Sequence, residues 1–134
     1  MWSNSSGERV FVYGTLRPPR PGRPAGDTLF YERIAAHVRC AIPARLPGAI
    51  LFDLGAYPAA RPGEGLLQGD LLTVEPPALA LMDRIEGHPD FFRRARVRVQ
   101  TGDGPLEAWI YWAGEALVAG KPRIVEGDWF ARGG

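Results

Sequence analysis

The apolar runs of this 134-residue chain are short and bounded by glycine or proline, which limits the chain to a strand-rich fold with few helical turns. Arg9 to Tyr13 is a β-branched and aromatic run that stops at Gly14. Residues 18–26 alternate proline, glycine and arginine, and read as an exposed loop. Asp27 is placed to cap a short helix through about residue 36, with Leu29, Phe30 and Ile34 as its apolar face. Val38, Cys40 and Ile42 alternate with polar or small residues as in a strand. Gly48 to Leu54 is predicted as another strand, closed by a turn over residues 55–58 and a loose stretch over residues 61–65. Leu66 to Val74 reads as a fourth. Pro76 and Pro77 then open a helix with Leu79, Met82 and Ile85 at helical spacing, and Gly87 is placed to end it. Arg94, Arg96 and Arg98 alternate with Ala95, Val97 and Val99; the chain turns at residues 102–104 and returns over Leu106 to Trp112 as a hairpin. The class is α+β with about six strands and two short helices. Residues 1–8 read as a frayed tail and residues 9–134 as a single domain.

Chemistry is narrowed by what the chain lacks. No serine follows Ser6, so the folded body holds no serine nucleophile. Cys40 is the one cysteine; it forms no intramolecular disulfide, and its mid-strand position reads as a small core residue. His37 and His88 belong to no paired metal motif, and His88 reads as a solvated loop residue. Neither common phosphate-loop pattern occurs. Formal net charge is +1, which sets up no field toward nucleic acid or an anionic membrane. No apolar run reaches the ~18–20 residues of a membrane span, and the first residues carry no signal-peptide pattern, so a cytoplasmic setting is expected. No cofactor or metal is implied. Acid–base chemistry on carboxylates, aided by backbone amides, remains.

Two segments fit it. In Tyr13-Gly14-Thr15-Leu16-Arg17 a strand breaks on glycine, which allows close approach of a ligand and lets successive amides form a concave donor site for an anion. A plain tight turn after an edge strand competes with this reading. In residues 81–87, Glu86 stands at a helix end, where the negative pole of the helix disfavours a carboxylate. Asp83, three residues earlier on the same face, adds a second unfavourable charge. Both raise the proton affinity of Glu86, as a general acid–base near neutral pH requires. The competing reading is an exposed glutamate neutralised by Arg84, Arg93 or Arg94.

These pieces carry a resemblance. Val10 to Arg17, Gly48 to Pro58, Gln68 to Val74, Leu81 to Gly87, Phe92-Arg93, Ala108 to Tyr111 and Ile124 to Trp129 occur in an order and spacing that resembles the gamma-glutamylcyclotransferase-like family, in the branch of gamma-glutamylamine cyclotransferases and avirulence-induced-like proteins. The resemblance implies a small mixed β-barrel flanked by short helices. It implies that the Tyr13-Gly14-Thr15-Leu16 turn binds the glutamyl group and that Glu86 is the catalytic acid–base, with Arg17, Phe92 and Tyr111 expected around the pocket. The implied reaction turns a γ-glutamyl amide, a small-molecule partner, into 5-oxoproline and a free amine. Where the family commonly has tyrosine after the glutamate this chain has Phe92, so a hydroxyl contact to substrate is absent there. The loops at 18–26 and 61–65 are expected to shape the pocket. A binding module of the same fold that reads such metabolites without turnover is the alternative. The residues set no oligomeric state.

Overall fold

The computed structural model describes residues 7–132, so most of the expected N-terminal tail lies outside the described residues, and Glu8 already belongs to a strand. In chain order the strands are β1 (Glu8–Val12), β2 (Val38–Asp53), β3 (Pro58–Val74), β4 (Phe92–Thr101), β5 (Gly104–Ala113) and β6 (Arg123–Ile124). The helices are α1 (Pro77–Glu86) and α2 (Glu115–Val118). β1 runs antiparallel to β3 and parallel to β5; β5 pairs with β4, β4 with β2, and β2 with β3. The five strands therefore close into a ring, with β6 added to β2. This is the small mixed barrel with short helices that the resemblance implied.

Strand β1 shows why the ring has a double core. Phe11 and Tyr13 pack with Leu46, Leu67 and Ile110 in one cluster, while Val10 and Val12 pack with Ala78 and Met82 of α1 in a second. Both faces of the strand are buried, hence its unbroken apolar run. Helix α1 behaves as its sequence dictates. Pro77 opens it, Ala78 and Met82 face the core, and Gly87 caps it in the left-handed conformation at φ 66°.

Three expectations are corrected. Residues 38–42 and 48–54 are one strand, and residues 58–74 are another; the predicted loop at 61–65 is part of β3. The glycines that read as loop signals are there for close packing. A side chain at Gly65 would strike the carbonyl of Ala49, and one at Gly63 would strike Ile50. The break predicted near Pro47 is a register shift between Pro47 and Ala49, with Gly48 at φ 85°. The helix predicted for 27–36 is three separate 3-10 turns, Ala25–Thr28, Tyr31–Arg33 and Ala35–His37, none with a side-chain cap. Asp27 caps nothing and instead takes a two-pronged contact from Arg132 at 2.8 Å on each oxygen. Cys40 is exposed rather than a core residue, because a register shift between Val38 and Cys40 moves the strand's inward phase. Among the described residues no helix is long and apolar enough to cross a membrane.

Candidate active site

A cavity of about 350 Å³ opens where the end of β1 meets the end of α1. The turn that follows β1 supplies Tyr13, Gly14, Thr15 and Leu16; the end of α1 supplies Arg84, Ile85, Glu86 and Gly87. The fold therefore brings together the two segments that sequence reasoning singled out separately. Phe92 and Tyr111 also line it.

The turn keeps its own shape. The amide of Arg17 closes it on the carbonyl of Gly14 at 2.9 Å, and the Thr15 carbonyl accepts from the amide of Phe30 at 3.1 Å. Among the described residues, the amides of Gly14, Thr15 and Leu16 find no protein acceptor. Unpaired donors on a cavity wall are a ready site for a carboxylate or an oxyanion. Gly14 is required by space. A Cβ there would lie 2.7 Å from both Cγ and Cδ of Pro58, a ring too stiff to yield. Gly14→Val is expected to abolish binding of small carboxylates at the turn, read as loss of ligand-induced thermal stabilisation; an unchanged shift would remove the turn from the site.

Glu86 stands opposite with no ion pair among the described residues. Burial pushes its carboxyl up to about 7. The direction is the one expected from the sequence, but the cause differs. Asp83 does not face Glu86 as a free negative charge. It accepts from Nε and Nη2 of Arg94 at 2.8 and 3.0 Å and from the Tyr111 hydroxyl at 2.6 Å. Burial alone would raise the Asp83 carboxyl; these hydrogen bonds outweigh it and hold the group below the ordinary carboxylate value. Arg94 is thereby spent on Asp83 and stacks 4.4 Å above the Trp109 ring, so it does not neutralise Glu86.

Two tyrosines complete the polar wall. Tyr13 is 5 % exposed; its hydroxyl donates to the Tyr111 carbonyl at 2.6 Å and accepts from the Ala60 amide at 3.3 Å. Burial, and then the charge of Glu86, raise its pKa well above that of a free phenol. Tyr111 is raised by burial and by its bond to Asp83. Both phenols are thus neutral donors at physiological pH.

Arg17 is not brought to the cavity. It is 5 % exposed and turns away, its Nε 2.8 Å from Asp70 and its Nη1 3.0 Å from Asp128. Asp70 is fully buried and also meets Arg23 at 3.2 Å, while Arg17 and Arg23 lie over the Phe130 ring at 4.3 and 4.6 Å. The 18–26 loop therefore sends arginines to this cluster and does not line the cavity, and neither does the 61–65 stretch. The walls are instead Phe30, Tyr57, Pro58 and Phe91, which sequence reasoning missed as site residues. The signals were the aromatic in the 55–58 turn and the doubled Phe91-Phe92 behind Gly87.

The chain matches the family described as gamma-glutamyl cyclotransferase, AIG2-like, over residues 10–131. A Vibrio cholerae relative is 32 % identical over 92 % of this chain and 96 % of its own length. The gamma-glutamylcyclotransferase family protein YtfP of Escherichia coli K12 is 28 % identical, over 92 % of this chain and 97 % of its own. The solution structure of Escherichia coli YtfP covers the same shares at a TM-score of 0.65. An AIG2-like protein from Mus musculus shares the fold, with a TM-score of 0.61 at 18 % identity over 87 % of this chain and 85 % of its own. On this match across the described barrel and cavity, the chain belongs to the gamma-glutamyl cyclotransferase, AIG2-like family.

Proposed function

We propose that this protein, as one domain over residues 9–134, cleaves a γ-glutamyl amide by attack of the substrate's own α-amine, giving 5-oxoproline and a free amine. The observation that carries the reading is the pairing, in one cavity, of unpaired turn amides with a carboxyl that burial lifts to about 7. A group with that value is split between its two forms at neutral pH, and so can both take and give a proton.

The substrate's α-carboxylate rests on the amides of Gly14, Thr15 and Leu16. Folding the glutamyl arm brings the α-amine onto the γ-carbonyl carbon, and much of the rate comes from this proximity. As the new C–N bond forms, the Glu86 carboxylate takes the proton released by the amine. Negative charge gathers on the γ-oxygen, where each well-placed donor contributes roughly 3–4 kcal/mol. Collapse of the tetrahedral centre breaks the bond to the leaving nitrogen, which receives the proton from Glu86. The nucleophile comes with the substrate, so a chain without a serine nucleophile or a cofactor suffices.

A panel of γ-glutamyl amides assayed for 5-oxoproline tests the reading. Release from at least one member is the expected result. Ligand-induced stabilisation across the panel with no 5-oxoproline would replace the enzyme by a binding module.

A further inference from the structure

We infer that the leaving amine is apolar, with an arylalkyl amine favoured, and carries no second positive charge; this rests on the cyclotransferase reading above. A volume of about 350 Å³ is near the lower end of small-molecule sites, ~300–1,000 Å³, so a bound glutamyl group fills much of it and the amine extends toward the mouth. With the glutamyl carboxylate on the Gly14–Leu16 turn and Glu86 at the scissile nitrogen, the amine lies against the walls beyond Glu86. Those walls are aromatic. The Phe91 ring packs over Gly87, its Cδ2 only 2.7 Å from where a Cβ on that glycine would stand. Tyr57 pairs with Phe92 at 6.3 Å between ring centres. Phe91 is 62 % and Tyr57 37 % exposed, so both rings present apolar surface at the mouth that a bound amine would cover.

The charges point the same way. Among the lining residues Glu86 is the one carboxylate and Arg84 the one guanidinium. A rival occupant is a second ammonium stacked on the rings. A primary ammonium drawn out of water is best compensated by a carboxylate, and the one in the lining, Glu86, is committed to the scissile nitrogen. Arg84 in the same wall repels it further.

The test uses three amides of the intact protein's proposed substrate class: γ-glutamyl phenethylamide, γ-glutamyl n-butylamide and γ-glutamyl putrescine. The last two differ essentially in whether a four-carbon chain ends in a methyl or an aminomethyl group. The expected order of kcat/KM is phenethyl above butyl, and butyl at least tenfold above putrescine. Phe91→Ala should shrink the phenethyl-to-butyl ratio, and Arg84→Glu should shrink the butyl-to-putrescine ratio at least threefold. Putrescine equal to or better than butyl in the unaltered protein would overturn the inference while leaving the cyclotransferase reading intact. Release from none of the three while another γ-glutamyl amide is turned over would overturn the inference alone, and release of 5-oxoproline from no γ-glutamyl amide at all would overturn both.

Discussion

Replacing Glu86 by glutamine is expected to remove nearly all turnover, by ~10²–10⁴-fold or more, while making the protein more stable at neutral pH. The two effects have one origin. Glutamine keeps the shape and reach of the side chain but neither takes nor gives a proton. Burial holds the folded-state value near 7, above the ordinary glutamate value of 4.5. The folded protein therefore binds more protons than the unfolded chain between those limits. Stability associated with this group is fully present below about pH 4.5 and is lost as pH rises through about 7. Glu86→Gln removes that loss, a gain on the order of 2 kcal/mol at pH 8 once solvent contact at the cavity is allowed for. Melting curves at pH 4.5 and pH 8 check it: the mutant should melt higher than the parent at pH 8 and close to it at pH 4.5. A mutant that melts lower at pH 8 would return Glu86 to the role of a structural ion-pair partner. Turnover should rise with pH as Glu86 loses its proton and level off once the carboxylate predominates, because the acid form that protonates the leaving nitrogen is made within each turnover from the amine's own proton. Asp83→Asn should act differently, by loosening Arg94 and Tyr111 and not by removing a charge that faces Glu86.

The largest loss of stability is expected at Asp70, which does not itself line the cavity. Its carboxylate is completely buried and is met by Arg17 at 2.8 Å and Arg23 at 3.2 Å. Asp70→Ala leaves the buried Arg17 with only Asp128, and breaking such a pair from one side costs about 3–5 kcal/mol. In a domain of this size that lowers Tm by roughly 10 °C or more. Glu107→Ala is the control. Its partners Arg96 and Arg98 are more than half exposed, so the change should stay within ~1 kcal/mol. Arg17 directly follows Leu16 and closes the turn on Gly14, so Asp70→Ala should also weaken γ-glutamyl ligand binding. A Tm within two or three degrees of the parent would show that the cluster does not hold the turn.

What was legible in the sequence was written in local signals. The β4–β5 hairpin, the Pro77 start and Gly87 stop of α1, and the strand break at Gly14 each depend on residues within a few positions of one another. Strands β2 and β3 were cut too short, because Pro47, Gly48 and the 61–65 stretch carry loop chemistry. Their reason for being there, the approach of Gly65 to the Ala49 carbonyl and of Gly63 to Ile50, exists only once the strands are paired. The same holds for the Gln68-Gly69-Asp70 piece. Gly69 is needed where β3 crosses the Val12 carbonyl and the Phe11 ring, and Asp70 where it meets Arg17. In the site, Glu86 and the Gly14–Leu16 turn could be read from position and resemblance. The cause of the Glu86 shift could not, since it depends on the cavity closing around the carboxyl while Arg94 is drawn off by Asp83. Phe30, Tyr57 and Phe91 come from three separate segments and become one wall only in the folded chain.

In the proposed reaction the substrate's α-amine, with Glu86 moving its proton, is the nucleophile. Turnover of a γ-glutamyl amide in ¹⁸O-labelled water, with products resolved by mass, tests it most directly. The expected result is unlabelled 5-oxoproline in equal amount to the released amine, no glutamate, and neither product above background with Glu86→Gln. Labelled glutamate as the primary product would show that water attacks the γ-glutamyl carbonyl carbon and that the α-amine is not the nucleophile.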